Sequence, residues 1–304
     1  MRTFVIRVLL FFAIIAFIDV LWGKVMNTAL ATTEKGDWGR RSYIINKTHE
    51  DVLIFGSSRA IRHYDPQIFT DSLGMSCYNC AEDGSGILLH YPRLNALLKR
   101  YTPKIIIYDI IPKYDFLEFG KITSLGMLRP FSTNDSIFTF IGEIDKNEKL
   151  KLFSGFYKYN SSFIEILMQR FSTVTQTADR FTYGALDGEM KYDIDDAGKL
   201  EGEGIDMIKF FYFEKFIDLC KSHNIKLYIT VSPWYKMKES DIYAPISNLC
   251  KKKGVTFLNH NFDTAFNYRK KYFHDAAHLN KYGAETFSKL IAHEIKQQYN
   301  VSSR

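Results

Sequence analysis

Residues 51–64 read DVLIFGSSRAIRHY, a short apolar run closed by one glycine and two serines and leading into helix-forming residues. An unbroken run such as Val52 to Phe55 suits a strand buried on both faces, as strands of parallel sheets are. Gly56 supplies the tight turn, and Ser57 or Ser58 stands where the next helix would begin.

Working outward, similar runs bounded by turn residues recur at 76–80, 104–110, 226–231 and 255–258. Helical periodicity lies between and after them, at 87–100, 208–222, 242–252 and 282–297. Strands alternating with helices require crossover connections, and therefore a parallel sheet covered on both faces. The expected fold is α/β and doubly wound (flavodoxin-like), a five-stranded parallel sheet in three α/β/α layers over residues 51–304. An insertion at about 113–206 is too long for one crossover and is expected to shape the substrate side. Ligands in such sheets sit at the carboxyl ends of the strands, near the point where strand order reverses.

Before this domain, residues 8–22 read VLLFFAIIAFIDVLW. With residues 3–7 in front, the segment approaches the roughly 20 residues needed to span a bilayer. It is apolar all round, unlike a buried amphipathic helix. Arg2 and Arg7 flank one end and, by the positive-inside preference, would keep it cytoplasmic and the domain extracytoplasmic. Asp19 lies near the far end. Ala29-Leu30-Ala31 has the small-x-small form of a cleavage site but lies several residues past the apolar run, so an uncleaved single-pass anchor is expected over residues 1–23. Residues 24–50, polar and basic, read as a linker.

Charge excludes some partners. The net charge of +6 comes from 40 basic and 34 acidic residues scattered along the 304-residue chain, without the basic stripe that nucleic acid requires. Cys77 and Cys80 have CxxC spacing but no second pair or nearby histidine, so no metal site is expected, and the four cysteines read best as buried thiols. No phosphate-cradling glycine motif is present, and no cofactor is expected.

Chemistry is suggested by two separated stretches. Ser58 sits on a strand-to-helix turn whose backbone N–H groups can hold a developing oxyanion. Near the other end, YFHDAAHLNKYGAETFSKL places Asp275 and His278 three apart in the loop after the fifth strand. A serine nucleophile needs a base within reach and a carboxylate to orient that base. Ser58 capping its helix, and Asp275 and His278 as surface residues, are the structural alternatives for each taken alone. Both stretches, however, fall on the carboxyl edge of the sheet. Asn280 is the expected cap of the last helix.

Together these blocks resemble the SGNH/GDSL hydrolase superfamily. Gly56-Ser57-Ser58 stands for its Gly-Asp-Ser block, with Ser57 at the Asp position, and Asp275 and His278 stand for its Asp-x-x-His block. YNCAEDGSG matches the second block, with Asn79 five residues ahead of Gly84. The resemblance implies a Ser58–His278–Asp275 triad and an oxyanion hole from the Ser58 and Gly84 amides. The third block departs: YDIIPKYDF lacks the usual asparagine, and Lys113 or Tyr114 stands there. Arg59, Asn79, Lys113 and Trp234 are further candidates for substrate contact, Trp234 by stacking on a sugar ring. Membrane-tethered members of the superfamily move acyl groups on surface polymers. The resemblance therefore implies an esterase or O-acyltransferase whose substrate is an acylated envelope glycan or another small extracytoplasmic ester. The alternative is a catalytically silent glycan-binding protein with envelope-assembly proteins as partners.

Overall fold

The computed structural model describes residues 1–118, 124–173, 178, 183–191, 204–237 and 241–302. The chain divides into two compact units, one of residues 1–47, 95–99 and 123–180, the other of residues 48–94, 100–122 and 181–304.

The second unit is built on five strands: β1 (Val52–Gly56), β2 (Cys77–Asn79), β3 (Ile105–Asp109), β4 (Lys226–Val231) and β5 (Thr256–Asn259). All pairings are parallel, in the order β2-β1-β3-β4-β5. This is the expected doubly wound arrangement, and strand order reverses between β1 and β3. Side chains alternate across the sheet, as the two-residue period demands. Val52, Ile54, Ile105 and Ile107 join a core with Tyr64, Phe69, Phe287 and Ile291, whereas Phe55 and Tyr108 meet Phe216 of the helix Met207–Ser222 on the other face. The last helix, Lys281–Ser302, packs on helices Ser58–His63 and Pro66–Leu73. Its first turn is held by Asn280, whose Oδ1 accepts from Gly283 N at 2.9 Å.

Gly56 closes β1 at a φ of 140°, and a β-carbon there would lie 2.5 Å from the Asp109 carbonyl of β3. Only glycine fits this crossing, which brings the end of β1 against the end of β3.

In the first unit, Arg2–Ala31 is one continuous 30-residue helix. It is long and apolar enough to cross a membrane, with a mean hydropathy of 2.7 and no part of its most apolar window buried. The stretch expected as linker is ordered instead: the helix runs on past residue 23, and Gly36–Asn46 forms another. Trp38, Tyr43, Ile44 and Ile45 are buried together with Gly39, Arg40 and Ser42, so the helix is covered on several sides and not along one apolar stripe. The expected insertion is divided. Residues 123–180 fold with the N-terminal helices, whereas residues 183–191 join the sheet unit, where Gly184 N donates to Ile61 O and Met190 N to Phe273 O. All four cysteines are free thiols, three buried and Cys77 partly so.

Candidate active site

Three loops at the carboxyl edge of the sheet converge. Ser58 opens the helix after β1, and its Oγ lies 3.0 Å from His278 Nε2. His278 Nδ1 lies 3.0 Å from each oxygen of Asp275. An ionised carboxylate can only accept, so Nδ1 carries a proton, and in the neutral ring Nε2 faces Ser58 with its lone pair. Asp275 Oδ1 also takes the amides of Ala277 at 2.8 Å and His278 at 2.9 Å, so the Asp-x-x-His loop folds around its own carboxylate. Half-burial pushes this carboxyl up, but the His278 ring and the two amides outweigh it and hold it below the usual range.

The loop after β2 lies beside the helix that Ser58 opens. Glu82 N donates to Gly56 O at 3.0 Å, and Asp83 receives the Arg62 guanidinium at 2.5 and 3.2 Å. Gly84 follows with a φ of 64° and open space where a β-carbon would stand. Among the described residues, neither the Ser58 nor the Gly84 amide donates to a protein acceptor. Ser57, at the position of the acidic residue in Gly-Asp-Ser, is fully buried, and its hydroxyl has no hydrogen bond among the described residues.

Two residues expected at the substrate face the interior. Arg59 is 1% exposed, and its guanidinium donates to the Ser232 hydroxyl and carbonyl. Asn79 is fully buried, with its amide on the Ala60 and Tyr64 carbonyls and its oxygen accepting from Ala81 N. Both knit loops together and have no side-chain donor left at the surface for a ligand. Trp234 is half-buried at the end of β4, with the Arg59 guanidinium 5.3 Å from its ring centre. Lys113 is the second residue of the short helix Pro112–Asp115 after β3. Its carbonyl accepts from Lys209 Nζ, and its own Nζ lies 4.9 Å from the Tyr114 ring centre.

Next to Ser58, His278 and Asp275 lies a buried network that the sequence did not announce. Ser232 Oγ donates to Asp109 Oδ2 at 3.0 Å and accepts from Arg59 and from His63 Nδ1, the latter at 2.9 Å. His63 Nε2 accepts from Leu279 N, the residue after His278, at 2.9 Å. A backbone N–H can only donate, so His63 is neutral with its proton on Nδ1. Burial, then the nearby charge of Arg59 with His278 and Arg62, pushes its pKa well below the imidazole range. Asp109 also accepts from Ser232 N and the Tyr64 hydroxyl. Burial pushes its carboxyl up, and Arg59 and these bonds oppose the shift. The only sequence signal was positional: Asp109 ends β3 and Ser232 directly follows β4, its neighbour, where a buried polar residue is out of place unless it is bonded.

A concavity of ≈ 540 Å³ lined by Asp187, Gly188, Glu189, Met190, Lys191 and His274 reaches Asp275 from the side of residues 183–191. It gives that part of the chain one wall beside the triad.

No family model matches this chain, and no curated protein matches it. Among solved structures the chain is similar to the psychrotrophic esterase EstA from Pseudoalteromonas sp., inhibited by monoethylphosphonate, at 10% identity and a TM-score of 0.42, over 82% of this chain and 98% of that one. It is similar also to a GDSL-like lipase from Bacteroides thetaiotaomicron, at 11% identity and a TM-score of 0.37, over 90% and 97% of the two chains.

Proposed function

We propose that the chain is a serine-dependent acyl-ester hydrolase or O-acyltransferase of the SGNH/GDSL kind, with Ser58 as nucleophile. The observation that carries this reading is the 3.0 Å approach of Ser58 Oγ to His278 Nε2, with Asp275 closing the far side of the ring. Ser58 Oγ attacks the ester carbonyl while its proton passes to His278 Nε2, and the Ser58 and Gly84 amides take the oxyanion. The C–O bond of the ester then breaks, and the imidazolium returns its proton to the departing alcohol. Water or a sugar hydroxyl next gives its proton to His278 and attacks the acyl-serine carbonyl; the acyl C–Oγ bond then breaks, and the imidazolium returns its proton to Ser58 Oγ.

With two amides and no third-block asparagine, the oxyanion lacks one donor. That costs about 3 kcal/mol, or on the order of a hundredfold in rate. The apolar N-terminal helix supports a membrane-tethered enzyme acting outside the cytoplasm, and an acylated envelope glycan is the substrate this location favours. The missing donor also motivates the second reading, a silent glycan-binding protein with envelope-assembly partners.

A fluorophosphonate probe separates the two. The folded full chain is expected to take one equivalent on Ser58, and Ser58→Ala none. A wild-type chain of intact circular dichroism that stays unlabelled rules the enzyme out.

A further inference from the structure

The apolar N-terminal helix carries one carboxylate, and its partners reveal where the rest of its unit sits. Asp19 Oδ1 accepts from Phe156 N at 2.7 Å and from Ser154 Oγ at 2.8 Å, and its Oδ2 accepts from Gly155 N at 2.9 Å. The helix Gly155–Tyr159 thus begins directly on the N-terminal helix. Contact is close because both sides are glycine: a β-carbon on Gly155 would stand 2.4 Å from Asp19 O and 2.8 Å from Gly23 Cα. Trp22 stacks on Phe156 and meets Phe163 edge-on, at 5.8 and 5.6 Å between ring centres.

The level of this junction follows from helix geometry. A hydrocarbon core of about 30 Å takes about 20 residues at about 1.5 Å each. Started at Thr3 the core ends near Trp22, and started at Val8 it ends near Asn27, which leaves Asp19 roughly 5–12 Å inside. A bare carboxylate is costly at that depth, and here three donors from residues 154–156 satisfy it. Those donors must therefore reach the same depth. The side chains around them suit it: Phe153 is 75% exposed, Leu150 67%, Ile164 57% and Phe156 45%. In water such a cluster would be a liability. The helix bearing Leu150 also carries Lys146, Lys149 and Lys151, cations suited to anionic headgroups.

We propose that residues 150–164 form a collar seated in the membrane leaflet on the side of the folded chain, so that the unit is held by an immersed apolar surface as well as by its spanning helix. This rests on the N-terminal helix being a membrane span. The depth is graded along that helix. Arg170 bonds to Thr32 and Ala29 O, so Phe171 lies about 10–15 Å farther out than Trp22 and reaches headgroups only.

The test places nitroxide labels on the full chain in phosphatidylcholine/phosphatidylglycerol vesicles, one at a time, by Leu10→Cys, Phe153→Cys, Ile164→Cys and Phe171→Cys in a Cys77→Ser background. All four sites are exposed, so each variant should fold. Collision with oxygen relative to a water-soluble nickel complex reads the environment. Expected are ratios at Phe153 and Ile164 within about twofold of that at Leu10, with Phe171 several-fold lower. Lipid-like values at Leu10 with water-like values at Phe153 and Ile164 overturn the collar and leave the span intact. A water-like value at Leu10 removes the span and the collar together. Spin–spin broadening at Phe153 that unlabelled chain dilutes away would make the face a contact between copies, which also overturns the proposal.

Discussion

Ser232→Ala tests whether the network under the triad holds the site together. The side chain is fully buried, and its hydroxyl is the meeting point of His63, Arg59 and Asp109. Arg59 keeps the Ser232 carbonyl, and Asp109 keeps Ser232 N and the Tyr64 hydroxyl. The His63 Nδ1–H is left stranded and Asp109 Oδ2 keeps only the Arg59 guanidinium, 3.9 Å away, at about 1–3 kcal/mol for the neutral group and somewhat more for the charged one. A loss of about 3–5 kcal/mol is expected, a large share of a domain's usual ~5–15 kcal/mol. With a urea m-value of about 3 kcal/mol/M, the midpoint should fall by roughly 1–1.7 M at an unchanged slope. The exposed Ser222→Ala, which loses solvent-facing bonds to Leu219 O and the His223 ring, should move it by less than about 0.2 M. The His63 ring also steadies Leu279 N beside His278, so fluorophosphonate labelling of folded Ser232→Ala should slow as well. A midpoint within about 0.3 M of wild type would refute the reasoning, because three buried polar groups cannot lose a shared partner at so little cost.

Asp275→Asn should leave the fold intact but lower the rate of Ser58 acylation by about 10²–10⁴-fold, read by stopped-flow labelling, because the imidazole loses the partner that sets its tautomer. Gly56→Ala should destabilise by about 2–4 kcal/mol in the same urea titration, from the strained φ and the clash with Asp109 O. Asp115 offers a pH signature. Its buried carboxyl accepts from the Tyr108 hydroxyl and Ile111 N, yet burial dominates and raises its pKa to about 7. A carboxyl raised on folding keeps its proton in the native state, so its contribution is full below the unfolded value of about 3.9 and is lost as pH climbs through about 7. Between pH 6 and 8.5 the urea midpoint should fall in wild type and fall less in Asp115→Asn, and equal slopes would exclude Asp115 as the source.

Much of the sheet was legible because burial on both faces writes itself locally: Val52 to Phe55 and Ile105 to Tyr108 are apolar runs that only a covered strand can use. Boundaries moved by a residue or two, as at 51–55 against Val52–Gly56, since the chain can cede a terminal bond cheaply. The helix Gly36–Asn46 was missed because its few apolar residues form no helical stripe and its buried positions include Gly39, Arg40 and Ser42, which only the surface covering them makes sense of.

Sequence by itself determined the five strands and the helices between and after them, the apolar N-terminal helix, and the two loops that carry Ser58 and the Asp275–His278 pair, since each is encoded within a few consecutive residues. Tertiary structure alone decided that these loops meet at 3.0 Å, that Arg59 and Asn79 turn inward, and that His63, Asp109 and Ser232 share one buried network. It also decided that Asp19 is capped from residues 154–156. The physical reason is common to all four: a polar side chain's role is set by its partner, and here most partners lie tens to hundreds of residues away along the chain.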